Sequence, residues 1–236
     1  MDWVNKHLQI VPINTFIDPI FPVENAIITH AHADHAKPGH NNVLATKHTI
    51  EIMKIRYGEN CANNFQELSF NSPLNINGVK VTFFPAGHIL GSAQVLLEYR
   101  KDKINFTGDF KITKDDTCEN FRPVTCNTLV TEATFGLPIF QHPDPEFEIN
   151  KLIVSIKKFP NRPHLIGVYA LGKAQRLIKL LRNKGYDETI FIHGALEKIC
   201  DYYIQSGINL GNLSKALVKC EKKDFNGKII LAPPSA

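Results

Sequence analysis

The chain has 236 residues, a length that suits one large domain or one domain with an insertion. Hydrophobic residues make up 43% and charged residues 21%, a globular balance that excludes a disordered chain. The net charge of +4 favours polyanionic partners only slightly. The sequence shows no signal peptide and no apolar run of about 20 residues, and its five cysteines are an odd number at wide spacings. We therefore expect a cytoplasmic protein with reduced thiols and no membrane partner.

The first 140 residues are predicted to contain short strands and one helix. Apolar residues at helical spacing predict a helix at 46–57, which Gly58 ends. Short apolar or alternating runs predict strands in 8–20 and at 26–29, 79–84, 94–99, 104–107 and 128–131. Because a sandwich of such strands can gather its loops at one edge, we expect a site there.

The composition changes near residue 140, where we place a domain boundary. Beyond it, helical periodicity predicts helices at 146–159, 172–184 and 196–206. Short apolar runs predict strands at 165–169, 190–192 and 228–231. Because strands and helices alternate, we expect an α/β domain with a parallel sheet.

Four side chains that can bind metal fall within the six residues 30–35, directly after an apolar strand. Alternation along an extended segment places His30 and His32 on one side, and Asp34 and His35 can face a second metal. Two later residues also lie where strands become loops, His88 between two glycines and Asp109 after Gly108. We predict that His30, His32 and His88 bind one metal, and that Asp34, His35 and Asp109 bind a second.

Other polar residues leave alternatives open. Asp18 precedes a proline and is either a turn residue or a carboxylate that accepts the second N–H of a ligating histidine. His40 is interpreted as structural and His48 as solvated, and His193 is a weaker candidate for the cleft.

The spacing His-x-His-x-Asp-His at 30–35, with a later His and Asp, resembles the signature of the metallo-β-lactamase superfamily. Residues 28–35 and 85–93 are similar to motifs of its nuclease branch. Residues 131–136 look like the first β-CASP motif, and 169–176 look like the helix start of the β-CASP insertion. Similarity to the bacterial DNA-ligase-associated exonucleases extends to 126–128 and 231–236.

The resemblance implies an α/β fold, with a metallo-β-lactamase αββα sandwich at 1–140 and a partial β-CASP α/β insertion at 141–236. The insertion would cover the metal cleft and grip nucleic acid. Two divalent metal ions are implied, zinc or alternatively manganese, with Asp18 supporting their ligands. Those ligands would be His30, His32, Asp34, His35, His88 and Asp109.

The resemblance also implies roles in catalysis and substrate binding. Asp34 would orient the attacking hydroxide, and Glu132 would be the acidic residue of the first β-CASP motif. Ser92, Gly172 and Lys173 would bind substrate, since a helix N-terminus beside a lysine suits a phosphate. The alternative for Gly172 and Lys173 is an ordinary capped helix with a solvated lysine.

The sequence departs from the family pattern at its end. Family members continue with a Ser-x-His segment, whose His pairs with the acid at Glu132, and with a His or Val near the second metal. Neither segment follows residue 140 here. We therefore expect a chain that is incomplete at its C-terminus, with an unpaired sheet edge and a rate lowered by ~10²–10⁴-fold if the general acid is missing.

The leading functional prediction is a metal-dependent DNA exonuclease in strand-break repair, which would act with a DNA ligase and a helicase. One alternative is an RNA nuclease that processes messenger 3′ ends. Another is an inactive, truncated remnant that only binds nucleic acid or a partner. A small-molecule hydrolase is disfavoured, because small substrates do not need a second domain over the cleft.

Overall fold

Two five-stranded sheets organise the first unit of the chain, Met1–Thr134. The computed structural model describes residues 3–216 and 222–234. The strands of the first sheet are β1 Gln9–Ile10, β2 Thr15–Ile17, β3 Asn25–Ile27, β4 His40–Ala45 and β5 Ala62–Glu67. They lie in chain order, and all pairs except β1 with β2 are parallel. Consequently the loops after β2, β3 and β4 emerge at one edge of the sheet.

The second sheet is an antiparallel meander with one parallel strand at its end. Its strands are β6 Leu74–Ile76, β7 Val79–Pro85, β8 Ala93–Tyr99, β9 Asp102–Phe106 and β10 Thr128–Val130. β10 pairs in parallel with β9. Buried apolar side chains of both sheets form one core, to which Ile27 and Leu44 of the first sheet and Val81 and Phe83 of the second belong. Burial of each such side chain contributes about 1.5–3 kcal/mol and holds the strand ends in place.

One helix, α1 Lys47–Tyr57, packs on the first sheet and confirms the prediction for this segment. Thr46 caps its N-terminus by accepting a hydrogen bond from the Thr49 amide at 3.2 Å. Gly58 ends it, with a φ of 92° that favours glycine. The Thr46 hydroxyl also donates to the Gly91 carbonyl at 2.7 Å, which fixes the helix to the loop that carries His88.

The second unit, Phe135–Ala236, alternates helices with parallel strands, as predicted. Its helices are α2 Pro145–Lys158, α3 Lys173–Asn183 and α4 Gly194–Gln205. Its strands are β11 His164–Gly167, β12 Ile190–Ile192, β13 Leu213–Lys215 and β14 Ile229–Ala232, and a 3₁₀ turn spans Lys222–Phe225. All strand pairs are parallel, in the order β11-β14-β12-β13.

The last strand, β14, lies inside this sheet. It pairs with β11 on one side and with β12 on the other. The expected unpaired edge is therefore not at this strand, because the chain returns to fill the gap between β11 and β12. The predicted α/β class is confirmed, and within residues 3–216 and 222–234 no helix has the length and apolar character needed to cross a membrane.

Candidate metal centre

The predicted metal ligands lie on loops that follow three strands of the first unit. His30 and His32 follow β3, His88 follows β7 and Asp109 follows β9. A hydrogen bond from the Ala93 amide to the Thr29 carbonyl, at 2.8 Å, connects the two sheets beside these loops. The sandwich therefore brings together side chains that are up to 79 residues apart in the sequence (30 to 109).

Three imidazole nitrogens converge in what we call the histidine cluster, His30, His32 and His88. His32 Nδ1 lies 3.1 Å from His30 Nε2 and 3.1 Å from His88 Nε2. Asp109 Oδ2 lies 3.8 Å from His30 Nε2 and 3.5 Å from His88 Nε2. The four ligand atoms lie within 4.8 Å of one another, so this group could hold a metal ion.

The spacing of these atoms fits the metal that the motif implies. Zinc binds imidazole nitrogen at about 2.0–2.1 Å, which gives a tetrahedral site a ligand-to-ligand edge of about 3.3–3.4 Å. The measured separations of 3.1–3.8 Å bracket that edge. Neutral imidazole with one carboxylate is also a donor set that zinc accepts, so the residues fit the ion.

A hydrogen-bond chain sets the tautomer of His30. The Thr29 hydroxyl donates to Asp18 Oδ2 at 2.6 Å, so its oxygen is left to accept from His30 Nδ1 at 3.1 Å. The proton on Nδ1 leaves the lone pair of His30 on Nε2, which is the nitrogen in the cluster. A Cβ at Gly108 would lie 2.8 Å from the Thr29 hydroxyl, so glycine permits the close approach of the Asp109 loop.

Two members of the histidine cluster, His30 and His88, are held neutral. Burial, reinforced by His35 and the other cluster histidines, lowers the pKa of His30 well below its ordinary value. Burial and then His32 lower the pKa of His88 to about 4. Neutral imidazoles are the form that coordinates a cation, so no proton must leave His30 or His88 at neutral pH.

Asp18, Asp34 and His35 form a second group, which we call the aspartate cluster. His35 Nδ1 lies 2.8 Å from Asp18 Oδ2, and His35 Nε2 lies 3.2 Å from Asp109 Oδ1. Burial lowers the pKa of His35, but hydrogen bonds to Asp109 and Asp18 outweigh it and raise the pKa to about 10. The same hydrogen bond with His35 lowers the pKa of Asp109.

Asp18 has the position that the supporting role requires. Besides His35 and the Thr29 hydroxyl, its Oδ1 accepts from the Thr29 amide at 2.7 Å. Asp34 is different, since its side chain is 80% exposed and its Oδ2 lies 3.8 Å from His35 Nε2. Asp34, Asp109 and Glu132 all line one cavity of about 270 Å³, which gives Asp34 access to a ligand.

Glu132 and Ser92 hold backbone near the centre. Glu132 Oε1 accepts from the Phe110 amide at 3.1 Å, directly after Asp109 in the chain. The Ser92 hydroxyl accepts from the amides of His88 and Ile89, at 3.0 and 3.2 Å, and the residue is 2% exposed. Ser92 therefore shapes the His88 loop, and its burial gives no support to the predicted contact with substrate.

The remaining candidates have local structural roles. Gly172 is the N-cap residue of α3, where its amide donates to Gln175 Oε1 at 2.8 Å, and Lys173 lies over the Tyr169 ring at 5.0 Å. His193 caps α4 by accepting from the Ala195 amide at 3.2 Å. In the first unit His40 is buried and accepts from the Val23 amide at 3.3 Å, as expected of a structural histidine.

Three residues that the sequence analysis did not single out also shape the centre. Thr29 joins Asp18 to His30, Arg56 of α1 donates to the Ala31 carbonyl between two ligands, and Glu119 accepts from the Gly91 amide at 3.3 Å. Thr29 could have been found, since it directly precedes the motif. Arg56 and Glu119 act through backbone contacts across 25 and 28 residues, for which the sequence carries no local signal.

The chain is similar to curated nucleic-acid enzymes. A probable DNA ligase of Opitutus terrae is 26% identical over 233 residues, which are 97% of this chain and 22% of that protein. The endoribonuclease ysh1 of Aspergillus fumigatus is 36% identical over 144 residues, which are 59% of this chain and 16% of that protein. The chain thus spans about a fifth of the length of the curated relatives that it matches.

A solved structure supports the fold. A protein of unknown function from Enterococcus faecalis matches with a TM-score of 0.57 and 14% identity, over 91% of this chain and 59% of that one. No protein-family model matches the chain. The fold and the side-chain cluster define an α/β sandwich with a group of residues that could hold a metal ion. The relatives make the assignment narrower: the chain is a homologue of β-CASP nucleases in the metallo-β-lactamase superfamily, which confirms the predicted family.

Proposed function

We propose that the chain hydrolyses phosphodiester bonds of DNA with two divalent metal ions, either zinc or manganese. The observation that carries the proposal is the position of Asp109. Its Oδ2 lies 3.5 Å from His88 Nε2 in the histidine cluster, and its Oδ1 lies 3.2 Å from His35 Nε2 in the aspartate cluster. One carboxylate between two ligand groups is an arrangement that suits a two-metal site.

The proposed chemistry divides between the ions and the chain. When bound, the ions would ionise a water near neutral pH and stabilise charge on the phosphate. Asp34, exposed in the cavity wall, is placed to accept a hydrogen bond from that water and to orient it. Glu132 holds the Phe110 amide and so fixes the loop of Asp109. Asp18 keeps the proton of His35 on Nδ1.

The choice of DNA rests on the relative named a probable DNA ligase, which matches 97% of the chain. We therefore propose an exonuclease of strand-break repair in the cytoplasm, with a DNA ligase and a helicase as partners. RNA is the second candidate, since relatives named endoribonucleases match 59% of the chain at 36% identity. Residues 1–140 would form the metallo-β-lactamase domain and 141–236 the β-CASP domain, where Gly172 and Lys173 would contact phosphate.

A cleavage assay tests the proposal. The zinc- or manganese-loaded chain is incubated with end-labelled single-stranded DNA, duplex DNA and RNA, and with circular single-stranded DNA. We expect metal-dependent shortening of linear DNA and no cut in the circle. The substitutions His32→Ala and Asp34→Ala should abolish the shortening of linear DNA. His7→Ala is the matched control, because His7 is exposed.

Two results would overturn parts of the proposal. Cleavage of RNA without cleavage of DNA would replace strand-break repair with RNA processing. Stoichiometric metal without cleavage of any substrate would leave a remnant that only binds nucleic acid.

A further inference from the structure

A cleft of about 570 Å³ opens in the first unit between the edge strands of its two sheets. β5 contributes Asn64, Phe65 and Gln66 to its wall, and β6 contributes the segment Leu74–Ile76. The volume falls within the roughly 300–1,000 Å³ of known ligand sites. None of the fourteen described residues that line the cleft is charged.

The cleft lies away from the metal centre. Asn25 lies at the start of β3, whereas His30 follows the end of that strand, five residues later. The residues that line the cleft include none of the predicted metal ligands, and Asp34, His35 and Asp109 line a separate cavity.

A row of side-chain amides crosses the cleft wall from strand to strand. Asn25 on β3 is in register with Asn42 on β4, and Asn42 is in register with Asn64 on β5. Asn64 Nδ2 donates to Asn42 Oδ1 at 3.0 Å, and Asn42 Nδ2 donates to Asn25 Oδ1 at 3.0 Å. Asn25 Nδ2 donates to the Asn14 carbonyl at 3.3 Å. The row thus runs in one direction and ends at Asn64, an exposed residue whose Oδ1 accepts from no described residue and is accessible to a ligand.

The amide row lies on the face of the first sheet that packs against the second sheet two residues further along the strands. Two residues on from Asn25 and Asn42, on the same face, lie Ile27 and Leu44, which are buried between the sheets. Amides in that position favour a ligand with hydrogen-bonding groups. The described lining residues include no cation, so the wall itself offers a phosphate no charged partner.

The outer side of β5 is open. β5 is the edge strand of its sheet, and within residues 3–216 and 222–234 no strand pairs with its outer side. Its sequence, Ala-Asn-Asn-Phe-Gln-Glu, has neither the lysine nor the proline that often blocks such edges. An extended peptide can add to an open edge of this kind through its backbone.

We propose that the cleft binds an extended, uncharged peptide segment of a partner protein. The segment pairs with β5, and one of its asparagine or glutamine side chains donates to Asn64 Oδ1, so that the amide row gains a fourth member. This site is independent of the proposed nuclease activity.

Titration with short peptides tests the proposal. The probe is acetyl-Thr-Asn-Val-Asn-Thr-amide, compared with the charged acetyl-Thr-Asp-Val-Lys-Thr-amide and with an N-methylated form of the probe. Binding is followed by amide chemical shifts of the full chain. We expect the probe to shift amides of β5, and both comparison peptides to bind at least 10-fold more weakly.

Two variants separate the amide row from general effects. Asn64→Leu removes the acceptor and should weaken the probe about 3–10-fold, the worth of one hydrogen bond. Asn63→Leu is the matched control, because Asn63 donates in the same way to Asn41, at 2.8 Å, but is not among the cleft residues. Metal content reports folding of both variants. Three results would overturn the proposal. The two variants could weaken the probe equally, the charged peptide could bind as tightly as the probe, or millimolar probe could leave the amide chemical shifts of β5 unchanged.

Discussion

The histidine cluster and the aspartate cluster lie on the two sides of Asp109, and the pKa values of their imidazoles are shifted in opposite directions. His30 and His88 are buried among other imidazoles, and burial lowers their pKa values. His35 lies between Asp18 and Asp109, whose hydrogen bonds overcome its burial and raise its pKa to about 10. The sequence assigns these histidines to two metals but does not show that they differ in protonation, with His30 and His88 neutral and His35 protonated at pH 7.

This difference teaches that hydrogen bonds to two carboxylates, which only His35 has among these three histidines, outweigh burial and would change how the proposed second ion binds. A cation on the histidine side replaces no proton, since His30 and His88 are neutral at pH 7. A cation on the aspartate side must displace the proton on His35 Nε2. We therefore expect the histidine side to bind its ion more tightly.

Removal of the shared carboxylate should have the largest effect. In the proposed two-metal site Asp109→Ala takes one ligand from each side, so we expect metal content to fall from the proposed two ions per chain to fewer than one. His32→Ala should remove only the ion on the histidine side. Elemental analysis after dialysis measures both, with His7→Ala as the control. Retention of two ions in Asp109→Ala would show that the clusters do not share this residue.

Asp18→Asn should affect only the aspartate side, and less strongly. The new amide can donate to His35 Nδ1, so that His35 loses its Nδ1 proton and keeps the proton on Nε2, the nitrogen that faces Asp109. We expect metal affinity on that side to fall about 10–100-fold, as for other changes behind a ligand. Competition titration with a chelator measures it. An equal loss on the histidine side would mean that Asp18 acts mainly through Thr29 and His30.

The smallest effect should appear in the stability of the chelator-treated chain. The pKa of His88 is lowered from 6.5 to about 4. Between these pH values the unfolded chain binds a proton at His88 and the folded chain does not, so stability falls as the pH falls. The pKa of His35 is raised to about 10, so protonated His35 stabilises the folded chain. This contribution is fully present below pH 6.5 and is lost as the pH rises towards 10. We expect the thermal midpoint to peak near pH 6.5, with shifts of about 2–4 °C per kcal/mol. A midpoint that rises steadily above pH 7 would contradict the opposed protonation.

The sequence predicted what depends on local spacing. The metal motif, the capped helix α1 and the alternation of the second unit are all local patterns. β4 and β5 were missed, because Asn41, Asn42, Asn63 and Asn64 give them low strand propensity. Hydrogen bonds between amides of neighbouring strands compensate, and these depend on register. The role of Ser92 was missed for a related reason, since its contacts depend on how a loop folds back.

The position of β14 matters for synthesis on the ribosome. The strands of the first unit are complete at residue 130. In the second unit β11 begins at His164, but its neighbour β14 begins only at Ile229, about 65 residues later. At 5–20 residues per second, this delay is roughly 3–13 s. During that time the first unit can already be folded, while β11 of the nascent second unit stays unpaired and accessible to chaperones.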